Sequence, residues 1–268
     1  MIWDSTTHKA AIIDSVLDYE PDSGCTQTHA IAPVLAYLEK EQLTVEWILE
    51  THIHADHLTA AHHLKKIVGG KTGISSNITK ILKYWVPIFN TAQDTPLSGA
   101  QFDQQFANGD TFTLGTLTIQ ILHTPGHTPA CLSYIVEDAA FVGDTLFMPD
   151  IGTARADFPG GSAEQQYHSI QRLLALPDNT RIFVGHDYPP TGRGPMPYAT
   201  VATHKKENVL INSTVTETDY VTKRTNKDQG KAVPHLLLPA LQVNMRAGTF
   251  GRFEENQLQY IKIPVNKI

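Results

Sequence analysis

Thr51-His52-Ile53-His54-Ala55-Asp56-His57 sets three imidazoles and a carboxylate in one short stretch, directly after the apolar run Val45-Glu46-Trp47-Ile48-Leu49. In an extended segment alternate side chains share a face, so His52 and His54 project the same way. Asp56 and His57 then fall where a loop turns into the next helix. Groups of this kind are costly to bury without partners. A bound metal accounts for the spacing better than a run of exposed loop histidines.

Later segments deliver the same side-chain types at the ends of strand-like runs. Leu117-Thr118-Ile119-Gln120-Ile121-Leu122 alternates like a strand and runs into His123-Thr124-Pro125-Gly126-His127-Thr128. Pro125 and Gly126 impose a tight turn there, with His127 at its exit. Ala139-Ala140-Phe141-Val142 ends in Gly143-Asp144-Thr145, and Arg181-Ile182-Phe183-Val184-Gly185 ends on His186. Strand ends that supply His, His, Asp and His in turn point to one convergent metal site.

The elements that must hold these ends can be read coarsely. Ala10 to Asp14 reads as a buried strand, and Ala30 to Glu41 as a helix with apolar residues at helical spacing. Ala60 to Ile67 reads as a helix stopped by Gly69-Gly70, and Asn77 to Trp85 as another. Asn108-Gly109-Asp110 is a turn signal before the strand Thr111-Phe112-Thr113-Leu114. Ser162 to Ala175 opens with a capping box, Ser162 followed by Gln165. The tail from Leu236 to Ile263 is less readable and shows no long helical extension.

Composition narrows the class. The chain has 268 residues, 41% hydrophobic and 18% charged, enough for a sizeable core in a single domain over residues 1–268. A formal net charge of −6 leaves no basic footprint for nucleic acid. No apolar stretch approaches a membrane span, and the first residues lack the pattern of a signal peptide. Two cysteines make no disulfide framework, so a reducing cytoplasm is the expected compartment. Cys131 reads as a small buried residue. The histidines outside the motifs, His62 and His63 among them, read as surface or packing residues.

The order HxHxDH, TPGHT, GD and a strand-final His resembles the metallo-β-lactamase superfamily over nearly the whole chain. The resemblance implies an αββα sandwich of two mixed β-sheets flanked by helices, with metal at one edge. It also implies an edge strand ahead of Trp3-Asp4, so the domain is expected to lack its first N-terminal strand. The ligands can be read in two ways. Read fully, His52, His54 and His127 hold one metal, Asp56, His57 and His186 a second, and Asp144 bridges, as in a Zn(II) pair that activates hydroxide. Read sparsely, His52, His127 and Asp144 form the two-histidine, one-carboxylate face suited to Fe(II), and His54, Asp56, His57 and His186 orient ligands and water.

Residues outside the ligands separate these readings. Arg155-Ala156-Asp157-Phe158, His127-Thr128-Pro129-Ala130-Cys131-Leu132-Ser133-Tyr134 and His186-Asp187-Tyr188 resemble the persulfide dioxygenase branch of the superfamily. In that branch the residues matching Arg155 and Tyr188 line a glutathione site, and a guanidinium fork suits a peptide carboxylate. The alternative is that Arg155 pairs with Asp157 and Tyr188 merely packs. The branch's usual Cys-Gly pair ahead of the arginine is replaced here by Thr153-Ala154. Ile12 to Tyr19 and Gln242 to Gly248 are similar instead to a bacterial β-lactamase-like hydrolase subgroup, which leaves the thiol carrier open.

The resemblance thus implies one Fe(II) per chain, a glutathione-type persulfide and O2 as substrates, sulfite and thiol as products, and a homodimer. The chief rival is a dinuclear zinc hydrolase of a glutathione thioester, similar to glyoxalase II. A lactonase using Tyr188 is a weaker alternative, and a fold retained for metal binding without turnover is another.

Overall fold

A computed structural model describes residues 1–267. Internal contacts divide the chain into two compact units. One comprises residues 1–106, 113–117 and the segment from 232 onward; the other comprises 107–112 and 118–231.

The first unit runs β1 (Ile2–Asp4), β2 (Lys9–Ile13), β3 (Val16–Glu20), β4 (Cys25–Gln27), α1 (Ala32–Lys40), β5 (Thr44–Leu49), β6 (Leu58–Thr59), α2 (Ala61–Val68), β7 (Lys71–Ser75), α3 (Ile78–Phe89) and β8 (Gln104–Phe106). Its main sheet has the order β1-β2-β5-β7-β8. β2, β5, β7 and β8 are mutually parallel, and α1, α2 and α3 are their connections. Parallel strands are covered on both faces, which is why Ala10-Ala11-Ile12 and Ile48-Leu49 read as continuous apolar runs. β1 lies antiparallel on the open side of β2, Ile2 opposite Ala11. A small sheet of order β4-β3-β6 completes the strands of this unit. Ala10, Ile12, Val45, Ile48, Leu58 and Leu64 form its core.

The chain continues through β9 (Thr111–Leu114), β10 (Leu117–His123), β11 (Leu132–Val136), β12 (Ala139–Phe141), α4 (Ala163–Leu174), β13 (Arg181–Phe183), β14 (Tyr198–Thr200), α5 (Val201–Glu207) and α6 (Glu217–Asp228). These strands form a sheet of order β14-β13-β12-β11-β10-β9, in which β12 and β13 are parallel. Ala140, Val142, Ile170, Leu173, Ile182, Val201 and Tyr220 pack as a second core. α7 (Leu237–Asn244) returns to the first unit, where Ala240 and Val243 join the core.

The chain is therefore mixed α/β, as its sequence pattern implies. The structure also adds elements to those expected. Asp56 and His57 do not run straight into a helix, because the short strand β6 intervenes before α2. α5 and α6 have no counterpart in the sequence reading: α6 is mostly polar along its length and resembles a solvated segment until it packs on α4. Among the described residues no helix is long and apolar enough to cross a membrane.

Ser162 caps α4 through Oγ, which accepts from the Gln165 backbone N–H at 3.1 Å. Ser162→Ala is expected to cost about 1 kcal/mol of unfolding free energy in denaturant titration without changing the far-UV spectrum.

Candidate metal centre

The loop between β5 and β6 carries His52, His54, Asp56 and His57 in the first unit. His52 and His54 are buried; Asp56 and His57 are partly so. The rings of His52 and His54 lie 4.1 Å apart and those of His54 and His57 4.2 Å apart, so the three imidazoles cluster, of which alternation predicts only the first pair. His54, Asp56 and His57 each offer a donor atom within 4.8 Å of the others.

Two residues outside the motif shape this loop. Asp14 sits in the left-handed region at φ 52°, just after β2. Its carboxylate accepts from the Thr51 N–H at 2.7 Å, the Thr51 hydroxyl at 2.8 Å and His54 Nε2 at 3.0 Å. From α7, Asn244 accepts from Thr59 N and donates Nδ2 to the carbonyls of His54 and His57, each at 2.8 Å. Asp14 and Asn244 lie in recognisable stretches of the sequence, but no local pattern gives either residue a role. Both look like ordinary turn and helix-end residues until the fold brings them to the loop.

These contacts settle which nitrogen each imidazole offers. The Thr51 hydroxyl has one proton and gives it to Asp14, so at 3.0 Å it must accept from His52 Nδ1–H. The lone pair of His52 is then on Nε2. His57 Nδ1 meets the Leu58 carbonyl at 3.3 Å, which can only accept, so Nε2 again carries the lone pair. His54 is turned the other way: Nε2 faces Asp14 at 3.0 Å and Glu50 at 3.2 Å, and buried Nδ1 has no hydrogen-bond partner among the described residues. A metal-binding histidine held from behind by a carbonyl, hydroxyl or carboxylate has this arrangement.

Electrostatics follow from the same contacts. Burial opposes a charge on His54, but Asp14 and then Glu50 override it and hold its pKa well above the usual value. Asp14, also working against burial, is held below the carboxylate range by His54 and Thr51. Glu50 is pushed up by burial despite His54; its Oε1 accepts from the Thr59 hydroxyl. Burial, followed by the neighbouring His54 charge, lowers His57 to about 4. A proton and a metal exclude each other on His54 Nδ1.

His127, Asp144 and His186 lie in the second unit. Gly126 lets the turn before His127 press on α4: a Cβ there would lie 2.3 Å from Gln166 Cα. His127 Nδ1 donates to the Arg155 carbonyl at 2.7 Å, leaving the lone pair on Nε2. That atom is 3.8 Å from Asp144 Oδ2, and His186 Nε2 is 3.7 Å from Asp144 Oδ1. Two donors on one ion with bonds of about 2.1 Å stand some 3–4 Å apart, so both spacings suit metal ligation. Gly185 leaves the room: a Cβ would come within 2.7 Å of Asp144 Oδ1.

Arg155 and Tyr188 flank these groups. Arg155 forks onto Asp157 through Nε and Nη2 at 2.6 and 2.7 Å and lies over the Phe158 ring at 4.9 Å. The Asp157 bond raises the Arg155 pKa further, and the guanidinium in turn lowers that of Asp157. Tyr188 is 54% exposed and stacks on His186, centroids 5.6 Å apart. Asp187 instead anchors its loop, accepting from Arg193 Nη1 and Nη2 and from Met196 N. Cys131 lies just before β11, buried, with its sulfur 3.1 Å from the Thr128 hydroxyl. Among the remaining histidines His204 is a packing residue, and burial lowers it to about 4.

The donors present fit a transition metal bound by imidazole and carboxylate. Thr51→Val should deprive His52 Nδ1 of its acceptor and weaken Co(II) or Zn(II) binding by about tenfold in a chelator competition titration, with the fold intact.

Comparison with known proteins shows the family of the chain. The profile of the Metallo-beta-lactamase superfamily matches residues 8–186. A protein named probable metallo-hydrolase from Burkholderia pseudomallei is 46% identical over 100% of this chain and 95% of its own. One named glyoxylase B2 from Dictyostelium discoideum is 46% identical over 99% of this chain and 92% of its own. The human mitochondrial persulfide dioxygenase ETHE1 is 31% identical over 70% of this chain and 63% of its own. The crystal structure of ETHE1 from Myxococcus xanthus superposes with a TM-score of 0.72, at 28% identity, over 92% of both chains.

Proposed function

The chain belongs to the metallo-β-lactamase superfamily, whose members are metal-dependent enzymes, and we propose that it is a persulfide dioxygenase with Fe(II) held by His52, His127 and Asp144. The observation that carries the reading is the double role of Arg155. Its carbonyl holds the imidazole of His127, and its side chain presents a guanidinium one residue from buried Ala154 and Ala156. A cationic fork tied through its own backbone to a metal ligand suits a substrate whose reactive sulfur goes to the metal while a peptide carboxylate is held at a fixed distance. The ETHE1 relatives and the structural likeness support the same reading.

A low-molecular-weight persulfide, O2 and water would then give thiol, sulfite and two protons. Both atoms of O2 go to the outer sulfur, which loses four electrons, and water breaks the sulfur–sulfur bond. Fe(II), held by His52, His127 and Asp144, would supply the redox chemistry that activates O2 toward the persulfide sulfur. The chain's own residues do the rest. The Arg155 carbonyl keeps a lone pair on His127 Nε2, and Thr51 does the same for His52. Arg155 binds a carboxylate of the glutathione-type carrier, for which Asp157 is the resident competitor. Tyr188, stacked on His186, directs one hydrogen bond to the carrier.

A zinc hydrolase of a glutathione thioester is the second reading, favoured by a specific feature. The two oxygens of Asp144 face different imidazoles, His127 and His186, as a bridging carboxylate would. The relatives named metallo-hydrolase and glyoxylase support it also.

With glutathione persulfide as substrate and an oxygen electrode as readout, His127→Ala and Asp144→Ala are expected to lose both iron and turnover. Arg155→Ala is expected to keep its iron and raise KM about tenfold or more, as loss of a charged hydrogen-bonded contact should. An unchanged KM would remove Arg155 from the substrate site.

A further inference from the structure

Residues Thr153 to Ala156 belong to no strand, and Thr153, Ala154 and Ala156 are buried. Buried backbone groups require partners, and here side chains supply them. Arg224 Nη1 donates to the Thr153 carbonyl at 3.0 Å, and Asp228 Oδ2 accepts from the Ala156 N–H at 2.9 Å. Between these ends, Gln166 Nε2 reaches the Ala154 carbonyl at 3.3 Å and His127 Nδ1 the Arg155 carbonyl at 2.7 Å. Tyr220 of α6 ties the same corner, its hydroxyl 3.0 Å from Thr153 Oγ1 and 2.8 Å from Gln166 Oε1.

Arg224 and Asp228 are one helical turn apart on α6, 1% and 5% exposed. They are joined by a fork, Nε to Oδ2 at 2.9 Å and Nη2 to Oδ1 at 2.5 Å. Such a pair is a costly way to stabilise a core, since apolar residues of the same volume often do as well. What apolar residues cannot do is grip a backbone N–H and a backbone carbonyl three residues apart. The fork holds both ends of a short rung whose middle carbonyl orients His127 and whose middle side chain is Arg155.

We propose that Arg224 and Asp228 are positioning residues for the candidate metal ligand His127 and, through the same rung, for Arg155. The inference rests on the reading of His127 as a ligand, but not on the choice between iron and zinc. α6 thereby sets the bearing of an imidazole through the backbone of another segment. A side chain that tunes a ligand through its hydrogen-bond acceptor alters metal affinity and ligand-field geometry together.

The test is Co(II) titration of the full chain, followed by its d–d absorption bands. Replacing both charges together, as Arg224→Met with Asp228→Leu, avoids leaving one charge buried alone. Arg224→Lys is the milder variant: an ammonium can pair with Asp228 but cannot also keep the fork and the Thr153 contact. Both are expected to unfold cooperatively yet bind Co(II) about tenfold more weakly, with shifted bands. Should the double variant not fold, Arg224→Lys alone carries the test. Wild-type affinity and bands in the folded variants would overturn the proposal, since a merely stabilising pair would lower Tm and leave the bands in place. Unaltered Co(II) binding in His127→Ala would instead overturn the reading of His127 as a ligand.

Discussion

An imidazole can hold a metal only through a nitrogen that carries no proton, and in this chain that choice is made from behind. His52 is set by the Thr51 hydroxyl, itself committed to Asp14; His57 by the Leu58 carbonyl; His127 by the Arg155 carbonyl. The rest of the structure can be understood as support for these acceptors. Asp14 accepts a left-handed backbone to reach Thr51, Asn244 comes from α7 to fix the carbonyls of His54 and His57, and α6 holds the rung that carries Arg155. Each support is a buried polar contact, costly to leave half made.

Much of this was legible in the residues alone. The donors fall in the loops that follow strands, three to eight residues past the last strand residue, so the strand patterns mark their neighbourhood. β2, β5 and β10 announce themselves by apolar runs or alternation, and α4 by its cap. What lay hidden depends on contacts between residues far apart in sequence. Asp14 is 37 residues from Thr51, and Asn244 is 190 from His54; no local pattern marks either. Arg224 and Asp228 have the spacing of an ordinary exposed helical ion pair, and only burial shows otherwise. The alternative given to Arg155 in the sequence, pairing with Asp157, is present as a bond and coexists with its backbone role.

The ligands that could serve one ion or two are shared by both readings, and their surroundings point both ways. In the metal-free chain Asp14 and Glu50 raise the pKa of His54 against burial, so a proton competes with a metal at its Nδ1. Asp144, in contrast, divides its oxygens between two imidazoles as a bridging group does. Under the dioxygenase reading, the segment from Thr153 to Phe158 would join the orientation of His127 to a cationic fork for the substrate.

The most direct measurement is oxygen consumption by anaerobically Fe(II)-loaded protein on addition of glutathione persulfide, with sulfite counted in the same sample. The account predicts one sulfite for each O2 consumed, and no such turnover from the Zn(II)-loaded protein. Absence of uptake by the iron form, together with rapid thioester hydrolysis by the zinc form, would contradict it.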